Sequence, residues 1–275
     1  MKKKVIKIAA LVAAIALIVG ICWFANALCG NPISKMLAQR AAETWLKENF
    51  PNSDYYIEAV GFNFKDTNYY AHFRSESSMD TQFTLYINMF GQAYFDTYES
   101  VQSGSTTARR LEQEYRDLTN HVFESPDFPY PSDIQFGTLE IYPQEAFDDP
   151  LTTDVPEYAL VQQDLILDKI YDMRELRAQA GHLIVYVESE TITFELAAQI
   201  LLDIRDEFDK ASIPFRAIDF VLRLPLPEEG PRTGDEINIE NFLYEDICEE
   251  GLKERIEAAD AALNAYYAEQ DAKYK

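Results

Sequence analysis

Asn68-Tyr69-Tyr70-Ala71-His72-Phe73-Arg74-Ser75 is the stretch from which the fold is most readily read. Tyr69, Ala71 and Phe73 alternate with Tyr70, His72 and Arg74, the period of two that a β-strand imposes when one of its faces is buried. Downstream, Phe83, Leu85 and Ile87 alternate with Thr84, Tyr86 and Asn88, and Ala93 and Phe95 alternate with Tyr94, Asp96 and Tyr98. Upstream, Tyr55 to Phe64 has the same aromatic and β-branched character. The segments between these four runs are short: Lys65-Asp66-Thr67, a serine-rich loop and Phe90-Gly91. Short connections imply hairpins, so the reading is a four-stranded antiparallel sheet.

Working outward, Asn31-Pro32 is a helix start, with Asn as N-cap and Pro at the first helical position. Ile33, Met36, Leu37, Ala41, Thr44, Trp45 and Leu46 then outline an amphipathic helix that ends before Pro51. Beyond the strands, Ser103-Gly104-Ser105 opens a helix to about Glu124 with Leu111, Tyr115, Leu118 and Val122 in one stripe. The first unit therefore reads as helix, four strands, helix, an α+β arrangement resembling cystatin-like folds.

Prolines at 126, 129 and 131 mark a domain boundary. In the second unit, Phe136 to Tyr142 reads as a strand, followed by a loop with Pro143 and Pro150. Asp154-Val155-Pro156-Glu157 reads as a capping box opening a helix to about Gln179, ended by Gly181. His182 to Glu188 is apolar on both faces, as a central strand is. Thr193 to Lys210 is a helix with Phe194, Ala197, Leu201, Ile204 and Phe208 on one side. Phe215–Leu224 and Ile237–Tyr244 are strands joined across the Pro/Gly-rich stretch 225–234, and Leu252, Ile256, Ala259, Leu263 and Tyr266 form the seam of a last helix. The expected class is α+β throughout, with a mixed sheet carrying helices in the second unit. The expected parts are 1–30, an N-terminal anchor; 31–127, the first unit; and 128–275, the second.

The N-terminus fixes an expected location. Ile8 to Leu28 carries no charge and is rich in Ala, Ile, Leu and Val, long enough at ~1.5 Å per residue to cross a bilayer core of about 30 Å. Lys2, Lys3, Lys4 and Lys7 precede it, while the next basic residue is Lys35. This asymmetry predicts a single span with the N-terminus in the cytoplasm and the remainder outside. A cleavable signal ending at Ala25-Asn26-Ala27 is the competing reading, although the apolar stretch is longer than such signals carry. Leu28 before Cys29 and Ile21 before Cys22 do not fit a lipoprotein signal. Cys248 is the one cysteine beyond the leader and reads as a small buried hydrophobe.

The chain has a net charge of −23, and setting aside the four leading lysines leaves −27 on the rest. So acidic a surface disfavours nucleic acid and anionic lipid headgroups and favours cations or basic partners, while its plainest use is solubility and repulsion from neighbours. His72, His121 and His182 lie in separate elements, without a second His or Cys at zinc-ligand spacing. The sequence has no G-x-S-x-G elbow, phosphate-cradling glycine loop or H-E-x-x-H, so no cofactor is expected. Asp235 to Glu240 has some acids of a calcium loop but no glycine at its sixth position. Asp203, Asp206, Glu207 and Asp209 read as a solvated helix face.

Gly30 to Lys35, Gly61-Phe62-Asn63-Phe64-Lys65-Asp66, Asn68-Tyr69-Tyr70-Ala71-His72 and Asp80-Thr81-Gln82-Phe83-Thr84 together resemble the YfjL-like proteins of Gram-positive bacteria. The resemblance is strongest over 30–120. It implies a single N-terminal membrane segment and carries no established activity, cofactor or catalytic residue.

The candidate site is the outer face of the first sheet. There the alternation gathers Tyr70, His72, Arg74, Tyr86, Tyr94 and Tyr98, amphipathic side chains suited to contact with a protein or glycan when exposed. A covering helix from Thr106, or the second unit, would instead make this face structural. The functional expectation is a non-catalytic, membrane-tethered binding module of the cell envelope, with the bilayer as one partner through residues 8–28. The alternatives are a metal-independent envelope hydrolase using a carboxylate pair between the two units, and an assembly factor acting through the membrane helix.

Overall fold

The computed structural model describes residues 2–148, 155–227, 234 and 236–273. Pro150, Asp154, Asp235 and most of the 225–234 connection lie outside the described residues. The chain divides into two compact units, Met1–Thr106 and Thr107–Lys275.

The first unit begins with α1 (Lys2–Cys29). From Ala10 to Ala25 every side chain is exposed, and large apolar residues such as Val12, Ile15, Leu17, Ile18 and Trp23 point outward on all sides. A soluble core helix buries a stripe; among its described side chains this one buries none, and it is long and apolar enough to cross a membrane. Gly30, at φ +69°, ends it. Asn31 then caps α2 (Pro32–Asn49) by accepting the Ser34 N–H at 2.8 Å, with Pro32 at the first position.

α2 lies on an antiparallel meander of β1 (Tyr55–Asn63), β2 (Asn68–Ser75), β3 (Gln82–Ile87) and β4 (Ala93–Asp96), in that spatial order. Tyr69, Ala71, Phe73, Phe83, Leu85 and Ile87 are buried against it, the faces the alternation assigns to the core. The helix face differs from expectation. Ser34, Ala38 and Ala42 are the buried residues, because small side chains let the helix approach the pleated surface closely, with Trp45 reaching over Phe73 and Phe83. Ile33 and Met36 are left in solvent. A short helix, α3 (Glu99–Gln102), closes the unit.

α4 (Ser105–Phe123) matches the expected helix, but its stripe of Leu111, Tyr115, Val122 and Phe123 belongs to the second core. The compact first unit thus ends within the first turn of this helix, at Thr106, whereas the proline-rich segment suggests an end after it. The second sheet has the order β10-β9-β8-β5, built from β5 (Gln135–Leu139), β8 (Gly181–Glu188), β9 (Ala217–Arg223) and β10 (Ile237–Leu243). β8 and β9 are parallel, and the other two pairings are antiparallel. The crossover from β8 to β9 is α7 (Phe194–Lys210), capped by the Thr193 hydroxyl and buried through Ala197, Ile200, Leu201, Ile204 and Phe208. α8 (Leu252–Lys273) packs on β10 and α7. Leu252 and Ile256 are buried, while Tyr266 at the end of the expected seam is exposed.

Two expectations in this unit are corrected. The run Phe136–Tyr142 is two strands, β5 and β6 (Ile141–Tyr142), broken at Glu140. The long helix to Gln179 is only α6 (Met173–Ala180), preceded by α5 (Gln144–Asp148) and β7 (Leu160–Val161). The segment before α6 is drawn into other bonds: the Leu160 N–H donates to the Glu140 carbonyl, placing β7 parallel to β6. Asp168 takes a positive φ that no helix tolerates. The true N-cap is Asp172, which accepts the Arg174 N–H at 2.8 Å, and Gly181 does cap the C-terminus.

Candidate functional site

The outer face of the first sheet is built by register. β2 pairs with β3 so that Tyr70 faces Tyr86 and His72 faces Thr84, with a 2.8 Å hydrogen bond between His72 Nδ1 and the Thr84 hydroxyl. Tyr70 sits opposite Gly61 of β1, and its ring covers the position where any Cβ at Gly61 would project. The Tyr70 and His72 rings lie 4.8 Å apart. Arg74 pairs with Glu58 at 3.1 Å, both side chains being about half exposed. Tyr70, His72, Arg74 and Tyr86 thus share one face, as the alternation requires.

The end of the face departs from the expected pattern. Tyr86 pairs with Phe95 but Ile87 pairs with Ala93, so β4 inserts one extra residue, Tyr94. A bulge of this kind reverses the facing of every residue beyond it on the strand. Phe95, assigned to the core by alternation, faces outward at 58% exposure, its ring 5.8 Å from that of Tyr86. Tyr94 is also exposed and lies 6.4 Å from Tyr86.

Tyr98 does not belong to this site. Its backbone is already helical as the residue leading into α3, which swings the ring to the core side, 4.7 Å from Phe50 and 5.1 Å from Phe83. The structure therefore brings together Tyr70, His72, Arg74, Tyr86 and Tyr94, adds Phe95 and removes Tyr98. It is a row of aromatic rings with one guanidinium and one imidazole.

A second constellation, in the second unit, is not visible as a motif. His182 at the start of β8 is nearly fully buried, with Nδ1 2.7 Å from Glu140 Oε1 and Nε2 2.9 Å from Asp219 Oδ1. The Asp219 contact has ion-pair distance but poor hydrogen-bond direction. Glu140 is held by the break between β5 and β6, its N–H bonded to the Ala180 carbonyl and its second carboxylate oxygen accepting the Tyr142 hydroxyl at 2.7 Å. Asp219 accepts the Asn241 N–H at 2.7 Å, presented by a bulge in β10 where Asn241 has φ +52°. The Tyr158 hydroxyl donates to the Asn241 side chain and lies 3.3 Å from His182 Nδ1.

Burial alone would lower the His182 pKa, but its contacts with Asp219 and Glu140 outweigh that and lift it to about 9. Burial, with the charges of Glu140 and Asp219, pushes the Tyr158 phenol up. The imidazole is therefore a cation at neutral pH, with a carboxylate at each nitrogen. Glu140 holds the Nδ1 side, while the Nε2 side faces Asp219 at ion-pair distance without a well-directed hydrogen bond. The carboxylates flank opposite edges of one ring, so the three side chains do not converge on a point where a metal could sit. What the cluster does is tie β6, β8, β9 and the β10 bulge together. Its sequence signal is faint: a lone acid, Asp219, in an apolar strand, and a lone His at the start of another.

Fold and sites define a two-unit α+β protein with a long apolar N-terminal helix, an open aromatic sheet face and a buried ionic cluster. The YfjL-like N-terminal domain matches residues 2–97 and the YfjL-like C-terminal domain matches residues 114–257, so the chain belongs to the YfjL-like family. Neither a curated protein nor a solved structure matches it.

Proposed function

We propose that this protein is a non-catalytic binding module of the cell envelope, held to the membrane by α1 with its lysine end inside and both units outside. The observation that carries the binding role is the row formed by exposed Tyr94 and Phe95 with half-buried Tyr70 and Tyr86, beside exposed His72 and Arg74. Exposed clusters of large aromatic residues mark contact surfaces for protein or glycan partners. The tether is supported by the unburied apolar surface of α1 and by the four lysines ahead of it.

The test of binding is site-directed photocross-linking in native membranes, with a photoreactive residue at Tyr94. A discrete adduct is expected, and the triple variant Tyr70→Ala/Tyr86→Ala/Phe95→Ala is expected to lose it while keeping its circular dichroism spectrum. An unchanged adduct in that variant refutes the assignment. The tether is tested separately: a mature chain recovered in the medium with Leu28 at its N-terminus would show that the leader is removed.

A further inference from the structure

In a meander the first and third turns lie at the same end of the sheet, and here that end is where α1 gives way to the first unit. The Tyr69 hydroxyl at the start of β2 accepts the Asn31 N–H at 2.8 Å and donates to the Asn31 carbonyl at 3.1 Å. The Phe62 ring packs so close to Gly30 that a Cβ there would lie 2.9 Å from it. The β1–β2 turn begins two residues beyond Phe62, about 7 Å at ~3.3 Å per residue. The β3–β4 turn reaches the same region, since Gly91 abuts Leu37 and Phe90 shares a groove with Leu37 and Arg40 of α2. Leu37 is about 9 Å into that helix at ~1.5 Å per residue.

The side chains that this end leaves unburied are unusual for an acidic protein. Phe64 is 56% exposed in the first turn, Phe90 73% exposed in the third, with Met89 beside it. Ile33, 68% exposed, and Met36 are the large apolar residues that α2 turns away from its own sheet. Lys35, Arg40 and Lys65 stand among them, exposed, with Asp66 the one acid of the first turn, so the end carries a small net positive charge. The opposite end of the sheet instead exposes Asp54 and Glu76, and the single apolar residue of the β2–β3 turn exposed there is Met79. Aromatic and aliphatic tips interleaved with lysine and arginine suit the boundary between acyl chains and anionic headgroups. The headgroup layer is about 5–8 Å deep on each side, comparable to the reach of these turns from the end of α1.

We propose that the two hairpin turns at Phe64 and Phe90, with Ile33 and Met36 of α2, dock into the headgroup layer of the bilayer that α1 spans. The inference rests on the reading of α1 as a span and adds a second, peripheral contact to it. Such a contact fixes the tilt of the first unit and sets which way its aromatic face is turned.

The test is depth measurement by spin labelling of the full chain in mixed phosphatidylcholine–phosphatidylglycerol liposomes, with Cys22, Cys29 and Cys248 replaced by serine. Labels go on Phe64→Cys and Phe90→Cys, with Ile18→Cys as the mid-span reference and Met79→Cys as the aqueous one. All four positions are exposed, so the labels leave the core intact. The ratio of oxygen to nickel-complex accessibility is expected to be higher at Phe64 and Phe90 than at Met79 and to stay below that at Ile18, the intermediate value of the headgroup layer. A water-like ratio at either turn, with Ile18 lipid-like, overturns the docking. So does exclusion of both reagents at the turns, which would mean a protein partner covers them. A water-like Ile18 would instead overturn the span itself.

Discussion

Raising the pH from 6 to 10 withdraws the proton that holds the Glu140–His182–Asp219 cluster together, and the geometry sets the size of the effect. In the unfolded chain His182 titrates near its ordinary value of 6.5, and in the folded protein near 9. Below 6.5 both states carry the proton and the cluster's stabilisation is fully present. Between 6.5 and 9 the unfolded chain has lost the proton while the folded one keeps it, so stability falls, and above 9 the contribution is gone. At ~1.4 kcal/mol per pH unit the total is about 3 kcal/mol, a substantial share of the stability of a single unit. The assay has two parts. With only three histidines in the chain, long-range imidazole NMR on the micelle-bound protein resolves each ring, and His182→Gln assigns the one of interest. Urea unfolding of the second unit, followed through its own core resonances at several pH values, gives the energy. The expected result is a stability that declines from pH 6.5 to 9 in the wild type and is flat over the same range in His182→Gln. A His182 ring that titrates near 6.5, or identical pH profiles in the two proteins, would refute the reasoning.

Three further outcomes are expected. Gly137→Ala should destabilise the second unit by about 1–3 kcal/mol, because a Cβ there would lie 2.5 Å from Thr119 Cγ2, while the Gly137 N–H donates to the Thr119 hydroxyl at 2.9 Å; thermal melting measures it, and rescue by Thr119→Ala is not expected since the N–H then loses its acceptor. Gly30→Ala, at φ +69° and with its Cβ 2.5 Å from the Tyr69 hydroxyl, should loosen the joint below α1, seen as faster proteolysis between Cys29 and Pro32. Asp172→Ala removes the α6 cap and should cost about 1 kcal/mol, read as faster amide exchange at Arg174 and Glu175.

What the sequence discloses and what it hides divide along a physical line. Period-two alternation locates the first sheet because β2 and β3 each bury one face and expose the other, so Tyr70, His72, Arg74 and Tyr86 are legible as neighbours. Alternation fails where the backbone gains a residue or changes direction, and Tyr94 and Tyr98 mark those two places: a bulge puts Phe95 outward, and the entry to α3 turns Tyr98 inward. Leu160 to Lys169 has helical composition but is held by a strand pairing and a left-handed Asp168, both tertiary facts. The ionic cluster is hidden because Glu140, Tyr158, His182, Asp219 and Asn241 meet only through strand order.

The charge itself is segregated, and this bears on how a tethered protein of this kind would behave at a surface. Residues 31–106 hold five basic and nine acidic side chains, a net of −4, so nearly all of the −27 beyond the leader lies in the second unit. Within the first unit Lys35, Arg40 and Lys65 lie at the end next to α1 with Asp66 as the acid beside Lys65, while Asp54, Glu58, Glu76 and Glu48 outnumber Lys47 and Arg74 toward the other. Against anionic headgroups the first unit is thus a dipole attracted by its anchored end, while the second is repelled over about a Debye length, ~8 Å at physiological salt. On the tether proposed for α1, attraction at the hairpin tips and repulsion of the acidic second unit would act in the same sense. The Tyr70–Tyr86–Phe95 face runs along the sheet between these two ends, and Asp54 and Glu76, a strand length of more than ~20 Å from the hairpin tips, lie beyond the reach of a surface charge at that ionic strength.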